Sequence, residues 1–427
     1  MSQGYTGYTI VGRDVAIADG PNLDAFSRLR VSNPLTIFSN QFTYDASPLI
    51  FEQAVTDPVT CFITHSSTDR LMVLSMINAT GLTPDTISMQ SYEYIPYQPG
   101  RSQLVFITFN FFPSDPIGND TIKTVGLGDT TDGFFFRYNG ASGRPEFVIL
   151  STTNNGTQIA QKNNWNLDRL DGTGPSGITL DLTKTQILVI DFQALYVGRV
   201  RFGFDIDGRI IYAHEFLHAN SAIFPYISTA NLPIRASMEA VSLGFVSTDM
   251  YFICCSVASE GGSEDTQRFG YNFAYGDVAT ITSTAAFDYC MQLRPRTVFN
   301  GFTNRSKFIL TELDFLNLGN RSIKWQLTIG DTASGAWNDV NTNYSAMEYA
   351  TGGTYITGTT IVIDEGYAPA AGGNKSNIVS SELASKYPIT LDVAGNPRDL
   401  GTLTLSAQLL TAGTSDLYFT MKWKEVR

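Results

Sequence analysis

Apolar and polar positions alternate with period two over short stretches of this chain. Val200, Phe202, Phe204 and Ile206 alternate with Arg201, Gly203, Asp205 and Asp207, the pattern of a strand with one buried face. Asp207-Gly208 follows, and glycine tolerates the positive φ of a tight turn. The chain is therefore expected to return as a hairpin through Ile210, Ile211 and Tyr212. Gln103–Phe112, Gly133–Tyr138, Glu146–Leu150 and Ile187–Phe192 are rich in β-branched and aromatic residues and read as further strands. After residue 260 the same pattern predicts strands at 297–302, 306–315, 322–329, 354–363, 402–410 and 416–423, with one helical turn at Ser381–Tyr387. No segment before residue 260 keeps helical periodicity for three turns. The expected fold class is all-β.

Three parts are expected. Residues 1–40 lack a core of their own and read as an extended docking arm. Residues 41–262 form a central jelly-roll β-sandwich, and 263–427 a smaller C-terminal β-sandwich domain. The polar stretch Ala258–Gln267, with its Gly-Gly pair, is the expected linker. In the arm, Phe26, Leu29, Val31, Leu35, Ile37 and Phe38 cannot cover one another in an extended chain. Pro34 keeps that chain from coiling. Such side chains need a sheet of the same chain or of a neighbouring subunit.

Composition narrows the function. The chain has 427 residues and a net charge of −12, so no phosphate-reading basic face is expected, and no nucleic-acid partner. No apolar run reaches the roughly 20 residues of a membrane span. Cys61, Cys254, Cys255 and Cys290 have neither metal-site nor disulfide-framework spacing, and read as buried thiols in a reducing compartment. Charged residues make up only 16%, so neutral polar groups must cover much of the surface.

His214-Glu215-Phe216-Leu217-His218 matches the H-E-x-x-H pattern of zinc proteases, with Glu239 at a workable distance for a third ligand. That chemistry requires both histidines on one helix face. On a strand, residues four apart are roughly 13 Å apart, and two imidazoles so placed cannot share a zinc. No metal and no cofactor is therefore expected. No G-x-S-x-G or phosphate loop is present. Asp115, Asp120, Asp129 and Asp132 could ligate calcium, but loop-solvating acids are the simpler reading. Tyr92, Tyr94, Tyr97, Trp165 and Trp337 could stack on sugars, or fill a core.

The segment Asp24–Phe38 reads DAFSRLRVSNPLTIF. It resembles a recurrent x-A-F-G-R-L-R-V-S-x-P-x-T-L-F-D-S segment in structural proteins of tailed phages and large DNA viruses. Ala25, Phe26, Arg28, Leu29, Arg30, Val31, Ser32, Pro34, Thr36 and Phe38 match it, while Ser27 and Ser39 depart from the usual Gly and Asp. The stretch Val200–Ile234, with YAHEFLHANS and TANLPIR, is similar to the same proteins. The resemblance implies a concanavalin-like jelly roll and a capsid- or tail-associated virion subunit, assembled in the host cytoplasm. It implies no enzyme activity. The implied partners are major capsid or tail subunits and further copies of this chain, with a trimer as the expected symmetry. The assembly interface would be Phe26, Arg28, Leu29, Arg30, Val31, Pro34, Leu35, Ile37 and Phe38. The alternative is a tail or receptor-binding protein that binds surface glycans as a lectin does. A zinc or glycan hydrolase is the remaining reading.

Overall fold

The computed structural model describes residues 8–11, 14–17, 23–25, 34–77, 85–97, 99–114, 120–193, 195–241, 247–260, 270–330, 332–333, 335–353, 355–356, 360–371, 373–378 and 389–427. The chain divides into two compact units. The first comprises Met1–Pro48, Gln53–Gln90 and Ile95–Asp265; the second comprises Leu49–Glu52, Ser91–Tyr94 and Thr266–Arg427. Among the described residues the only helical turns are the short 3-10 segments Lys162–Asn164 and Asp399–Gly401, so the protein is all-β, as the alternation predicts.

The strands of the first unit are β1 (Tyr8–Val11), β2 (Asp14–Ile17), β3 (Leu35–Gln41), β4 (Phe51–Val55), β5 (Cys61–Ser66) and β6 (Leu71–Met76). They continue with β7 (Thr86–Ser91), β8 (Ser102–Asn110), β9 (Thr121–Gly128), β10 (Gly133–Asn139), β11 (Arg144–Leu150) and β12 (Gln158–Gln161). The last are β13 (Gln186–Phe192), β14 (Val200–Ile206), β15 (Arg209–Phe216), β16 (Ile234–Ala240) and β17 (Thr248–Glu260). One sheet has the order β12-β11-β10-β9-β16-β7-β4. The other runs β15-β14-β13-β8-β17-β6-β5, and β3 also pairs with β17. Sequence neighbours are often not sheet neighbours, as the crossovers of a jelly-roll sandwich require.

Aromatic side chains fill the space between the sheets. Phe109 of β8 meets Phe136 of β10 at 5.8 Å, and Phe192 of β13 meets Phe134 at 4.6 Å. Phe204 of β14 meets Phe136 edge-on at 5.2 Å. Because strand side chains alternate, these contacts also fix the outward residues. On β13 they include Val189 and Asp191, on β14 Arg201, and on β10 Phe135 and Arg137. The β14–β15 hairpin turns at Asp207 (φ 55°) and Gly208 (φ 78°), both left-handed as a two-residue turn needs. The register shifts at Phe202/Gly203, where Phe202 opposes His214 and Gly203 opposes Tyr212.

The second unit is a second sandwich. A six-stranded sheet has the order Asn338–Asp339, Met347–Ala350, Asp288–Pro295, Leu403–Leu409, Ile323–Ile329, Ile361–Ala368. A four-stranded sheet has the order Tyr271–Ile281, Ser415–Val426, Lys307–Asn317, Gly373–Ile378. Their shared core includes the fully buried Trp325 and Trp423, with Phe315 stacked on Trp325 at 4.7 Å. The strand expected at 354–363 is two strands, Tyr355–Ile356 and Ile361–Ala368. β17 continues through Glu260 into the expected linker, and the expected helical turn at Ser381–Tyr387 lies outside the described residues.

Candidate functional site

The most heavily built polar site of the first unit lies on the outer face of the sheet that contains β13 and β14. Asp191 and Arg201 are cross-strand partners there. Arg201 is 1% exposed and Asp191 fully buried, and their ion pair measures 2.5 Å. Asp191 also accepts from the Ser102 hydroxyl and from the Tyr212 phenol, each at 2.7 Å. The Arg201 guanidinium lies 4.1 Å from the Tyr212 ring centroid. Two charges removed from water are stable only when paired and hydrogen-bonded in this way.

The cluster holds the start of the N-terminal segment. Arg201 Nη2 donates to the Leu23 carbonyl at 2.8 Å, and Arg199 Nη2 to the Asp24 carbonyl at 3.2 Å. The Ala25 amide donates to the Ser102 hydroxyl at 3.3 Å. All three hydrogen bonds use main-chain atoms of the segment. Leu23, Asp24 and Ala25 are themselves buried. Ten residues later the segment becomes β3, whose residues from Leu35 to Gln41 pair with β17 between Ser259 and Cys254. Phe38 is buried, Leu35 and Ile37 are half-buried, and Pro34 is exposed just before the strand. Residues 34–38 thus adjoin or form a strand of the chain's own sheet. The other expected interface residues, Phe26, Arg28, Leu29, Arg30 and Val31, lie outside the described residues.

A second polar feature crosses the outer face of the other sheet. Register places Ser88, Ser237, Thr124, Arg137, Glu146 and Gln161 side by side on six successive strands. At 4.7–4.9 Å per strand this row is about 24 Å long. Five of its members are half-buried and Glu146 is buried. Arg137 donates to Glu146 through Nε (3.0 Å) and Nη2 (2.7 Å), and Gln161 Nε2 donates to it at 3.2 Å. Beside the row, Phe135 lies against a glycine lane. A Cβ at Gly126 or Gly133 would meet its ring at 2.7 or 2.5 Å, so only glycine fits beneath it.

The histidines stand where the strand reading puts them. His214 is on β15 and His218 just beyond it. His214 Nδ1 accepts from the Asn166 amide at 3.3 Å, and burial pushes its pKa down to about 4. His218 Nδ1 donates to the Gly198 carbonyl at 3.0 Å, so Nε2 is the acceptor for Gln158 Nε2 at 3.0 Å. Burial lowers the pKa of His218 as well, and its ring stacks on Tyr226. The two rings therefore serve different local networks. Among the described residues no group of three or more His, Cys, Asp or Glu is placed to hold a metal. Asp129 caps its own turn through Thr131 and Asp132, and Asp132 accepts from Thr152 and Ser228. Asp120 accepts from the Val241 amide through its main-chain carbonyl, and Asp115 lies outside the described residues.

The suspected sugar-stacking aromatics are each packed against other side chains. Trp165 is buried on Phe147 at 4.4 Å, and Tyr97 stacks on Phe192. In the second unit, Arg398 covers Tyr92 at 3.6 Å, Arg305 faces Tyr94 at 4.7 Å, and Arg294 covers Trp337 at 3.9 Å. The sequence reading missed the Asp191–Arg201 cluster and the six-strand row. Both depend on cross-strand register, although a charged pair on the outward side of two apolar strands was a visible signal.

No family model matches this chain, and no curated protein matches it. Among solved structures, similar chains include the endo-1,3-β-glucanase from Streptomyces sioyaensis. That match has 9% identity and a TM-score of 0.35, and covers 53% of this chain and 97% of that one. The carbohydrate esterase of Shiga toxin-encoding bacteriophage phi24B matches at 7% identity and TM-score 0.31, covering 53% and 99%. The lectin UEA-II, complexed with galactose, matches at 9% and 0.33, covering 52% and 99%. These neighbours correct one expectation. A glucanase and an esterase stand among chains of similar architecture, so the reading that this protein has no enzyme activity is withdrawn.

Proposed function

We propose that this chain is a structural subunit of a virus particle, held in that particle through its N-terminal segment. The observation that carries the reading is the buried Asp191–Arg201 cluster, which grips the main chain of Leu23–Ala25. That grip falls at the head of the Asp24–Phe38 stretch, whose sequence is similar to virion proteins. Two buried charges on the outer face of the sandwich hold residues 23–25 in place. The partners proposed are capsid or tail subunits and further copies of this chain, with trimeric symmetry. The test is incorporation of tagged subunits into particles. Deleting residues 1–33, which spares β3, should leave an all-β circular dichroism spectrum while removing the subunit from purified particles. Normal incorporation of the truncated subunit sinks the proposal.

The Ser88–Gln161 row favours a second reading, in which the subunit also binds glycans. A line of half-open hydroxyl, guanidinium and amide groups matches the alternating donors and acceptors of a sugar chain. On a glycan array, a T124V/S237A double variant should lose at least tenfold in binding at an unchanged melting temperature. Equal binding by the variant removes this reading.

A further inference from the structure

A strand at the edge of a sheet leaves main-chain donors and acceptors open to a further strand, and folded proteins protect such edges. Of the strands that end the four large sheets, all but one are protected. β12, β4, β5, Asn338–Asp339 and Gly373–Ile378 have six residues or fewer. β15 is covered: the Leu167 and Asp168 amides donate to its Ala213 carbonyl, and its Glu215 amide donates to Asn166 Oδ1. Ile361–Ala368 carries Asp364 and Glu365, and its pairing is broken by a register shift at Leu327/Thr328. The exception is β18 (Tyr271–Ile281). It has eleven residues, pairs without a shift along Ser415–Val426, and carries Asp277 as its one charge. Among the described residues no strand pairs with its other side.

We propose that β18 joins two copies of this chain, the two strands running antiparallel about a two-fold axis at Gly276, so that two four-stranded sheets become one. The contact is two-fold, so it goes beyond the three-fold arrangement proposed above. Main-chain direction permits it. The Val278 amide donates to Asp277 Oδ1 at 2.9 Å and so points to the open edge; by alternation the amides of Ala274 and Gly276 do the same. These three residues are exposed. The side chains point to a second copy as the occupant. Gly276 is the midpoint of β18, so a register centred there pairs all eleven residues. In that register Phe273 meets Ala279, Ala274 meets Val278, and Tyr275 meets Asp277. The apolar pairs are of unequal size, and the one carboxylate meets a phenol. Tyr275 already donates to Asp277 within the strand, at 3.4 Å. A register one step along sets Asp277 against its own copy, and like charges directly opposite destabilise a pair. With one acid in eleven residues, two copies of net charge −12 meet at this edge with little like-charge opposition.

The test uses the full-length chain. In this register residues 274 and 278 of opposite copies form a hydrogen-bonded pair with Cα atoms about 5.5 Å apart, within disulfide reach. Along one strand the same two residues are roughly 13 Å apart and cannot bridge. An A274C/V278C variant, oxidised in its native state, should therefore give a covalent dimer whose linkage maps to 274–278 by mass spectrometry. Its yield should be about tenfold that of A274C or V278C alone, because the register keeps each single cysteine roughly 13 Å from its own copy. No dimer from the double variant, or equal dimer from the single variants, overturns the proposal. A second measurement needs no disulfide. V278P removes an amide that points away from Ser415–Val426, so the thermal midpoint should hold. In sedimentation velocity the unmodified chain should show a concentration-dependent dimer, and V278P a monomer at the same concentrations. A monomeric unmodified chain, or a dimer that persists in V278P, equally overturns the contact. Neither measurement involves particles or residues 1–33, so their failure leaves the assembly reading to its own assay.

Discussion

His214 shows how local environment decides chemistry that a motif leaves open. Its pattern, with Glu215 and His218, fits a zinc site, but β15 is a strand and the ring accepts from Asn166 beside Phe216. Burial lowers its pKa from 6.5 to about 4 and lowers that of His218 in the same direction. The consequence for stability has a definite sign. Below pH 6.5 the unfolded chain takes up protons that the native histidines refuse, so the native state is favoured above 6.5 and loses that advantage as pH falls toward 4. Urea midpoints should therefore drop across this window, by up to about one proton of linkage per histidine. An H214N variant keeps an acceptor for Asn166 and should flatten the drop; an unchanged profile would mean that the ring is protonated in the native state. Arg201 makes a second residue-scale case. R201M leaves Asp191 buried without its cation and should cost about 3–5 kcal/mol in urea unfolding. A loss below about 1 kcal/mol would place Asp191 in contact with water. The sequence showed both residues on strands but not their opposition, because cross-strand pairing is set by the β13–β14 register.

At the scale of elements, the strands were legible wherever side-chain alternation was strong. The 200–216 hairpin, with its Asp207-Gly208 turn, was readable because turn chemistry and period agree there. β3 was harder to place. Leu35–Gln41 carries the same apolar residues as a docking arm would, and only its pairing with β17 shows where they go. This pairing makes truncation informative. Deletion of residues 1–22 removes β1 and β2, which form a two-stranded sheet with each other, and should leave the thermal midpoint unchanged. Deletion of residues 1–42 takes away β3, the buried Phe38, and Phe42 with its edge contact to Phe252 at 5.1 Å. Each large apolar side chain contributes roughly 1.5–3 kcal/mol, so this truncation should fail to give a cooperative melt. A cooperative melt for the longer deletion would show that β3 is dispensable. In the second unit, the fully buried Glu425 ends the last strand as a fastener. It accepts from the Ser345 hydroxyl at 2.6 Å, the Ala346 amide at 2.8 Å and Trp423 Nε1 at 3.1 Å, and pairs with Arg427 at 2.7 Å. None of this was visible in the alternation of residues 416–423. E425Q keeps the shape but loses the charge, and should cost about 3 kcal/mol. Calorimetry without a lowered transition would show that the charge contributes little.

On the scale of the whole molecule, the two sandwiches carry a net charge of −12, with charged residues at only 16%. Copies of this chain repel one another at long range, and that repulsion opposes the association of copies proposed above in dilute solution. The contacts that hold the N-terminal segment within one copy are of another kind. The cluster of Asp191, Arg201, Tyr212 and Ser102 is buried, and it bonds the main chain of Leu23 and Ala25 at 2.8 and 3.3 Å. Salt acts unequally on these two contributions. The Debye length shortens from roughly 30 Å at 0.01 M to about 8 Å at 0.15 M, which removes repulsion between surfaces while buried pairs are screened much less. Association of this protein should therefore strengthen with ionic strength, the opposite of a contact made by exposed ion pairs. In light scattering at fixed protein concentration, the weight-average mass should rise between 0.01 M and 0.15 M salt and then level off. A mass that falls with added salt would assign the contact between copies to exposed charges.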